Sequence, residues 1–260
     1  MIPADGLDRF RPITLDELTA RASLLTRLDR KYLLPAAGLT AFLHGLPGDV
    51  RVLRIDRRHA FSYRSVYFDT PELDCYLAAA RRRRRRFKLR IRGYLDSGEH
   101  FTEVKIRGLR GTTVKRRTPY TGDGSHLGAE ARAYAGAVLA EAAIPADGLR
   151  FVPVLTTRYR RTTLFVPSTG SRVTVDTELS WALPDGTVLH LPERAIVETK
   201  SGRSASEADR LLRSLGHRPA PVSKYATGLA ALRPGLPAHR WLPVLRRHFP
   251  VPAPGTHPHR

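Results

Sequence analysis

Cysteine and methionine each occur once in these 260 residues, and tryptophan twice. A lone Cys75 can form neither an internal disulfide nor a thiolate metal cluster, which points to a reducing compartment. Its setting, Leu73 to Leu77, predicts a packed side chain rather than a nucleophile. Acids are scarce as well: 24 Asp and Glu stand against 44 Lys and Arg, a net charge of +20. No run approaches the roughly 18 apolar residues that span a bilayer. Met1 to Phe10, with Asp5 and Asp8, does not resemble a signal peptide. These absences predict a soluble, cytoplasmic protein without a membrane span. No Gly-x-x-x-x-Gly-Lys phosphate loop occurs. The ten histidines show no pairing at metal-ligand spacing within a periodic segment.

What the chain does have is patterned positive charge. Between Phe87 and Arg107, basic and apolar residues alternate along two runs, Phe87 to Arg92 and Thr102 to Arg107, with Asp96, Ser97 and Gly98 between them. A period of two places Lys88, Arg90 and Arg92 on one face of the first strand, and Glu103, Lys105 and Arg107 on one face of the second. A two-residue loop at Ser97 and Gly98 would set Arg90 opposite Lys105, Lys88 opposite Arg107 and Arg92 opposite Glu103. Leu89, Ile91, Val104 and Ile106 would then pack on the other face. Like charges about 5 Å apart repel by roughly 3 kcal/mol at an effective dielectric of about 20. An anion belongs between them, and a net charge of this size points to a polyanionic partner.

The other elements follow from caps, breakers and periodicity. Thr14 and Glu17 form a capping box before a short helix, and Ala36 to Leu46 reads as a second helix ended by Pro47 and Gly48. Strands are expected at Leu28 to Leu34, Val50 to Ile55, Phe61 to Phe68 and Thr112 to Tyr120, with Thr113, Lys115 and Arg117 sharing a face. An alanine-rich helix spans Ala129 to Ala143. Val154 to Val166 and Ser171 to Trp181 form a second hairpin, followed by strands at Val188 to Leu191 and Ala195 to Lys200. Ser204 with Glu207 caps a helix to about Leu215, and Lys224 to Leu232 is another. Mostly consecutive strands with interspersed helices predict an antiparallel α+β architecture. Residues 1–232 read as one domain and 233–260, rich in Pro, Arg and His, as a poorly ordered tail.

The same charged alternation recurs. Tyr159, Arg161 and Thr163 share a face, as do Arg172, Thr174, Asp176 and Glu178, and so do Glu198 and Lys200. A sheet of such strands closed on itself would enclose a charged tunnel. Glu198, helped by Asp176 or Glu178, has the oxygen donors for Mg²⁺ or Mn²⁺, and the surrounding cations would clamp phosphate oxygens.

Eight short stretches occur in order: Arg30-Lys31-Tyr32, Tyr67-Phe68-Asp69-Thr70, Lys88 to Arg92, Glu103-Val104-Lys105, Tyr159 to Thr162, Arg172 to Thr177, Val197 to Lys200 and Ser223-Lys224-Tyr225. Together they resemble the VTC-type polyphosphate polymerase domain, of the triphosphate tunnel metalloenzyme group. The resemblance implies an eight-stranded antiparallel tunnel, a closed barrel with flanking helices. ATP would be the donor and inorganic polyphosphate the product. It assigns phosphate binding and charge stabilisation to Lys105, Arg161, Lys224, Arg90 and Arg92. Lys31, Lys88, Tyr159, Arg172, Lys200 and Ser223 would line the phosphate path, and Glu198 would hold the metal. Hydrolases of the CYTH type carry Glu-x-Glu-x-Lys on the first strand. Here that stretch is Arg27-Leu28-Asp29-Arg30-Lys31, a departure that favours polymerisation over hydrolysis.

Other readings stay open on the residues alone. A tunnel triphosphatase and a non-catalytic polyphosphate or nucleotide-binding module both fit the charge. The six arginines Arg81 to Arg86 read as a solvated loop, with contact to a phosphate chain or nucleic acid as the alternatives. The basic strands carry few of the interleaved aromatics that a single-strand nucleic-acid binder uses, so no specific nucleic acid is expected. Trp181 reads as a core or rim residue, Asp69 as a turn former or as an orienter of a lysine, and Gly108-Leu109-Arg110-Gly111 as a turn.

Overall fold

A computed structural model describes residues 6–21, 28–107, 113–146, 148–202 and 204–250. Its elements begin with β1 (Arg11–Ile13), α1 (Leu15–Arg21), β2 (Leu28–Pro35), α2 (Ala36–Gly45), β3 (Arg51–Leu53) and β4 (Phe61–Asp69). Next come α3 (Asp74–Ala80), β5 (Phe87–Tyr94), β6 (Glu99–Arg107), β7 (Thr113–Pro119) and α4 (Ala129–Glu141). The chain continues through β8 (Val152–Val166), β9 (Ser171–Ala182), β10 (Val188–Leu191) and β11 (Arg194–Ser201) to α5 (Glu207–Ser214), α6 (Lys224–Leu232) and α7 (Leu242–His248). The class is α+β, as expected.

Strand neighbours follow the order β2-β11-β9-β8-β4-β5-β6-β7, with β3 on β8, β10 on β9, and β1 joined in parallel to β3. This path has two ends. The expected closed eight-stranded barrel is therefore corrected to an open, mainly antiparallel sheet of eleven strands. The β7 end shows the chemistry of an edge: it is exposed along nearly all its length and carries Lys115, Arg116, Arg117 and Pro119. Charge and proline of this kind discourage further pairing.

The internal contacts of the chain group into two compact units. The first unit comprises Met1–Ser62, Tyr159–Leu179 and His190–Val222. Its core places Tyr32, Leu34, Val173, Val175 and Val197 against Phe42 and Leu43 of α2 and Ala208 and Leu212 of α5. The side-chain period of two sends Lys31, Thr174 and Glu198, which pair across these strands, to the opposite face. The second unit comprises Tyr63–Arg158, Ser180–Leu189 and Ser223–Arg260. There Val66, Phe68, Leu89, Ile91, Val104 and Ile106 pack with Ala131, Ala135, Val138 and Leu139 of α4. Alanines on α4 allow close approach to the sheet, and the residues alternating with the strand apolars face the other way.

Caps explain where helices begin, and two beginnings differ from expectation. Thr14 and Glu17 do form the reciprocal box before α1. Before α5 the box is Ser206 with Asp209, rather than Ser204 with Glu207. Asp209 is buried and also accepts from Tyr32 Oη at 2.8 Å and Thr199 Oγ1 at 2.6 Å, which fixes the helix start against the sheet. Helix α3 was not foreseen. Asp69 at the end of β4 accepts from the backbone N–H groups of Cys75 and Tyr76 at 2.8 and 2.9 Å, and so caps this short helix from outside its own sequence. Cys75 is buried, as expected. Helix α7 lies in the stretch assigned above to a tail. Arg27 and the Gly108 to Gly111 turn fall outside the described residues.

Gly228 of α6 abuts Trp181, which is buried and donates from Nε1 to the carbonyl of Lys224 at 2.7 Å. A Cβ on Gly228 would lie 2.1 Å from Trp181 Cδ1. Gly228→Ala should lower stability by about 1–3 kcal/mol through overpacking. Gly48→Ala, where no atom lies within 4 Å, should leave it unchanged. Urea unfolding followed by circular dichroism separates the two; equal stability of both variants would contradict the packing.

Candidate functional site

The polar face of the first unit is built on β2, β9, β11 and the end of β8. Glu198 pairs across the strands with Lys31 and Thr174, and Lys200 with Asp29 and Arg172. Glu198 Oε1 accepts from Lys200 Nζ and lies 3.5 Å from Lys31 Nζ, while Lys200 Nζ is 3.9 Å from Asp29 Oδ1. Burial alone would raise the Glu198 carboxyl, but Lys31, Lys200 and Arg161 hold it well below the usual carboxylate range. Burial pushes the Lys200 ammonium down to about 8, against the pull of Glu198 and Asp29. Arg161 donates from Nε and Nη2 to both oxygens of Asp176, at 2.6 and 2.8 Å, with its guanidinium 5.3 Å from the Tyr159 ring centroid. Arg172 Nη2 donates to the Leu18 carbonyl at 3.4 Å.

These contacts separate the three acids nominated as metal ligands. Asp176 is completely buried and engaged on both oxygens by Arg161. Glu178 leaves the alternating face: its backbone turns to φ +51°, and its exposed carboxylate lies 3.6 Å from Arg160 Nη1. Glu198 and Asp29 both approach Lys200. No three His, Cys, Asp or Glu side chains converge into a metal cage among the described residues. One or two carboxylates completed by substrate phosphates is the donor set that suits Mg²⁺ or Mn²⁺.

In the second unit, strand register sets the charges in rows. Lys88, Lys105 and Lys115 lie abreast on β5, β6 and β7, followed by Arg90, Glu103 and Arg117. This corrects the expected hairpin pairing by two residues. Four residues, Leu95 to Gly98, form the loop, with Gly98 at φ +74° and the N–H groups of Ser97 and Gly98 both donating to the Tyr94 carbonyl. A shift of two preserves the faces but changes the partners, so Glu103 meets Arg90 instead of Arg92.

Glu103 is 1% exposed and gathers three cations. Arg90 donates to its Oε2 from Nε at 2.8 Å, Lys115 Nζ donates to Oε1 at 2.9 Å, and Arg92 Nε stands 3.7 Å from Oε2. Burial would raise this carboxyl, yet Arg90, Arg92 and Lys115 hold it well below the usual carboxylate range. Beside it, Arg92 Nε and Ser65 Oγ are buried without a hydrogen-bond partner among the described residues, and their residues pair directly across β4 and β5. Each atom keeps hydrogen-bonding capacity that an oxyanion or water would satisfy.

The helix α6 completes this face. Ser223 caps it, accepting from the Ala226 N–H at 3.1 Å and from Lys88 Nζ at 2.8 Å, and Lys224 is its first residue. Tyr225 donates to Asp69 and stacks on Tyr67 with ring centroids 5.0 Å apart, and Tyr67 Oη accepts from Arg90 Nη1 at 2.9 Å. Asp69 thus takes the turn and cap role, with backbone and tyrosine donors rather than a lysine. Sequence reasoning passed over Glu103 as an organiser, and over Lys115, Ser65 and Asp29. The shared face of Thr113, Lys115 and Arg117 was the available signal for the second of these.

A family model, the VTC domain, matches residues 26–233. Comparison with curated proteins finds no match. Among solved structures, a candidate adenylate cyclase from Bacillus halodurans is 14% identical, with 76% of this chain and 94% of that one covered and a TM-score of 0.47. A candidate adenylyl cyclase from Hippeastrum, described as having a dominant triphosphatase activity, is 18% identical, with 78% and 94% covered and a TM-score of 0.44. A hypothetical protein from Pyrococcus furiosus is 14% identical, with 74% and 91% covered and a TM-score of 0.41.

Removing the carboxylate charge of Glu103 leaves buried cations uncompensated, so Glu103→Gln should cost about 3–5 kcal/mol at pH 7. A depressed pKa contributes stability in full above the unfolded carboxylate value, about 4.3, and loses it as pH falls through the lower folded value. The gap between native protein and variant in urea unfolding should therefore persist to about pH 4 and narrow only in stronger acid. A gap that closes already between pH 7 and 5 would contradict the assignment.

Proposed function

The chain belongs to the VTC-domain family, and on that footing we propose that it is a metal-dependent polyphosphate polymerase that adds the γ-phosphoryl group of ATP to inorganic polyphosphate. The observation that carries this reading is the row Lys88, Lys105 and Lys115, next to the row Arg90, Glu103 and Arg117 on the same face. Ammoniums held at the spacing of neighbouring strands, about 5 Å, would repel by roughly 3 kcal/mol at an effective dielectric of about 20. A ligand with a charge on every phosphorus relieves that strain better than a single carboxylate does.

Phosphoryl transfer asks a protein mainly to position the reactants and to neutralise charge. A terminal oxygen of the polyphosphate chain attacks the γ-phosphorus of ATP and forms a new P–O–P link. The bond from that phosphorus to the β-bridging oxygen breaks, and its electron pair leaves with ADP. Lys88, Arg90, Arg92, Lys105, Ser223 and Lys224 bind and orient phosphate oxygens in the second unit. Lys31, Tyr159, Arg161, Arg172 and Lys200 do so in the first. Glu103 holds Arg90 and Lys115 in place until phosphate arrives. Mg²⁺ or Mn²⁺ held by Glu198 would supply further charge neutralisation on the phosphates. Arg27, where tunnel hydrolases carry their first glutamate, supports a phosphate rather than water as the nucleophile.

Purified protein with ATP and Mn²⁺ should release ADP and build long phosphate chains, and chelation should stop both. Lys105→Ala and Glu198→Ala should each lower the rate at least about 100-fold. ADP with orthophosphate and no polymer would make the protein a triphosphatase. Tight polyphosphate binding without turnover would make it a binding module.

A further inference from the structure

The arginine run Arg81 to Arg86 takes no part in the faces described above. It follows α3, whose last carbonyls are already satisfied: the N–H groups of Arg81, Arg82 and Arg83 donate to Leu77, Ala79 and Ala78. Arg81 to Arg85 are exposed and Arg86 is half-buried. Two further arginines join them from distant parts of the same unit. The N–H of Arg107, at the end of β6, donates to the Arg86 carbonyl at 3.0 Å. Arg240, just before α7, lies close enough to Arg82, Arg86 and Arg107 for their charges to act on one another. Burial and these neighbouring arginines lower Arg86 and Arg240, with no carboxylate among the charges acting on either. None of these arginines forms a salt bridge among the described residues.

A solvated loop explains the exposed run, but not the gathering of Arg107 and Arg240 onto it without a counter-ion. We propose that this patch is a second polyanion site, which holds a remote stretch of a long inorganic polyphosphate chain and so makes binding depend on chain length. The choice of polyphosphate rests on the polymerase reading and on the chemistry of the patch. Adjacent phosphorus atoms in polyphosphate share one bridging oxygen, so the chain's charge is as dense as that of consecutive arginines; sugars dilute it in nucleic acid. The aromatic residues next to the run, Tyr76, Phe87 and Trp241, are buried, so among the described residues they offer no exposed ring for bases to stack on.

The test is fluorescence anisotropy with labelled long-chain polyphosphate, with unlabelled tripolyphosphate and single-stranded RNA as competitors. Arg82→Gln/Arg84→Gln/Arg85→Gln should weaken long-chain binding about tenfold and flatten its salt dependence by about two cations. Arg240→Gln, from a different element, should shift it in the same direction. Tripolyphosphate affinity and the initial rate of ADP release should be unchanged in both variants. Long-chain binding that ignores the substitutions, or an equal loss for tripolyphosphate, would overturn the site. RNA bound more tightly than polyphosphate through the same arginines would overturn the choice of ligand. The binding assay needs no turnover, so an inactive protein that still binds long chains through these arginines would defeat the polymerase reading alone.

Discussion

Like charges that share one face of a sheet need counter-ions, and the polar faces of this protein are organised by how few they contain. Glu103 serves Arg90, Arg92 and Lys115 at once, and Glu198 serves Lys31 and Lys200. Each carboxylate is buried and ionised because the cations around it overcome its desolvation. The cations are thereby held in position, which is what a surface needs if it is to bind a dense anion without reorganising.

The scaffold keeps those charges in place with carboxylates that do other work. Asp69 ties the end of β4 to the start of α3 and to Tyr225 of α6, and so fixes the helix whose cap, Ser223, receives Lys88. Through the stacked Tyr67 the same group of side chains reaches Arg90. In the first unit Asp209 gathers Tyr32, Thr199 and the start of α5 on the apolar side of the strand pair that displays Lys31 and Glu198. Polar clusters of this kind are stabilising only when fully satisfied, and both aspartates are surrounded by donors.

The sequence made the strands legible because period-two alternation is a local property. Phe87 to Arg92, Ser171 to Trp181 and Val188 to Leu191 all form strands, and Leu89, Ile91, Val173 and Val175 fill the cores. Register was less legible, since a hairpin loop of two or four residues gives the same faces and only the αL glycine after a longer turn decides between them. Helix α3 escaped because its cap comes from Asp69, outside the helix. Glu178 was misplaced because one positive φ breaks the alternation. Closure of the sheet came only from the family resemblance, and the exposed, charged β7 ends it instead. Within the nominated site, residue types were readable and partners were not: the alternation places Asp176 on a face with Arg172 and Thr174, but does not show the two hydrogen bonds that it accepts from Arg161.

Calorimetric titration with inorganic tripolyphosphate, beside orthophosphate and at two salt concentrations, tests most directly whether these cationic faces exist to hold condensed phosphate. The account predicts binding that is at least about a hundredfold tighter for tripolyphosphate, because linked phosphates engage several cations at once, and that weakens with salt. Equal affinity for the two anions, or no heat from either, would contradict it.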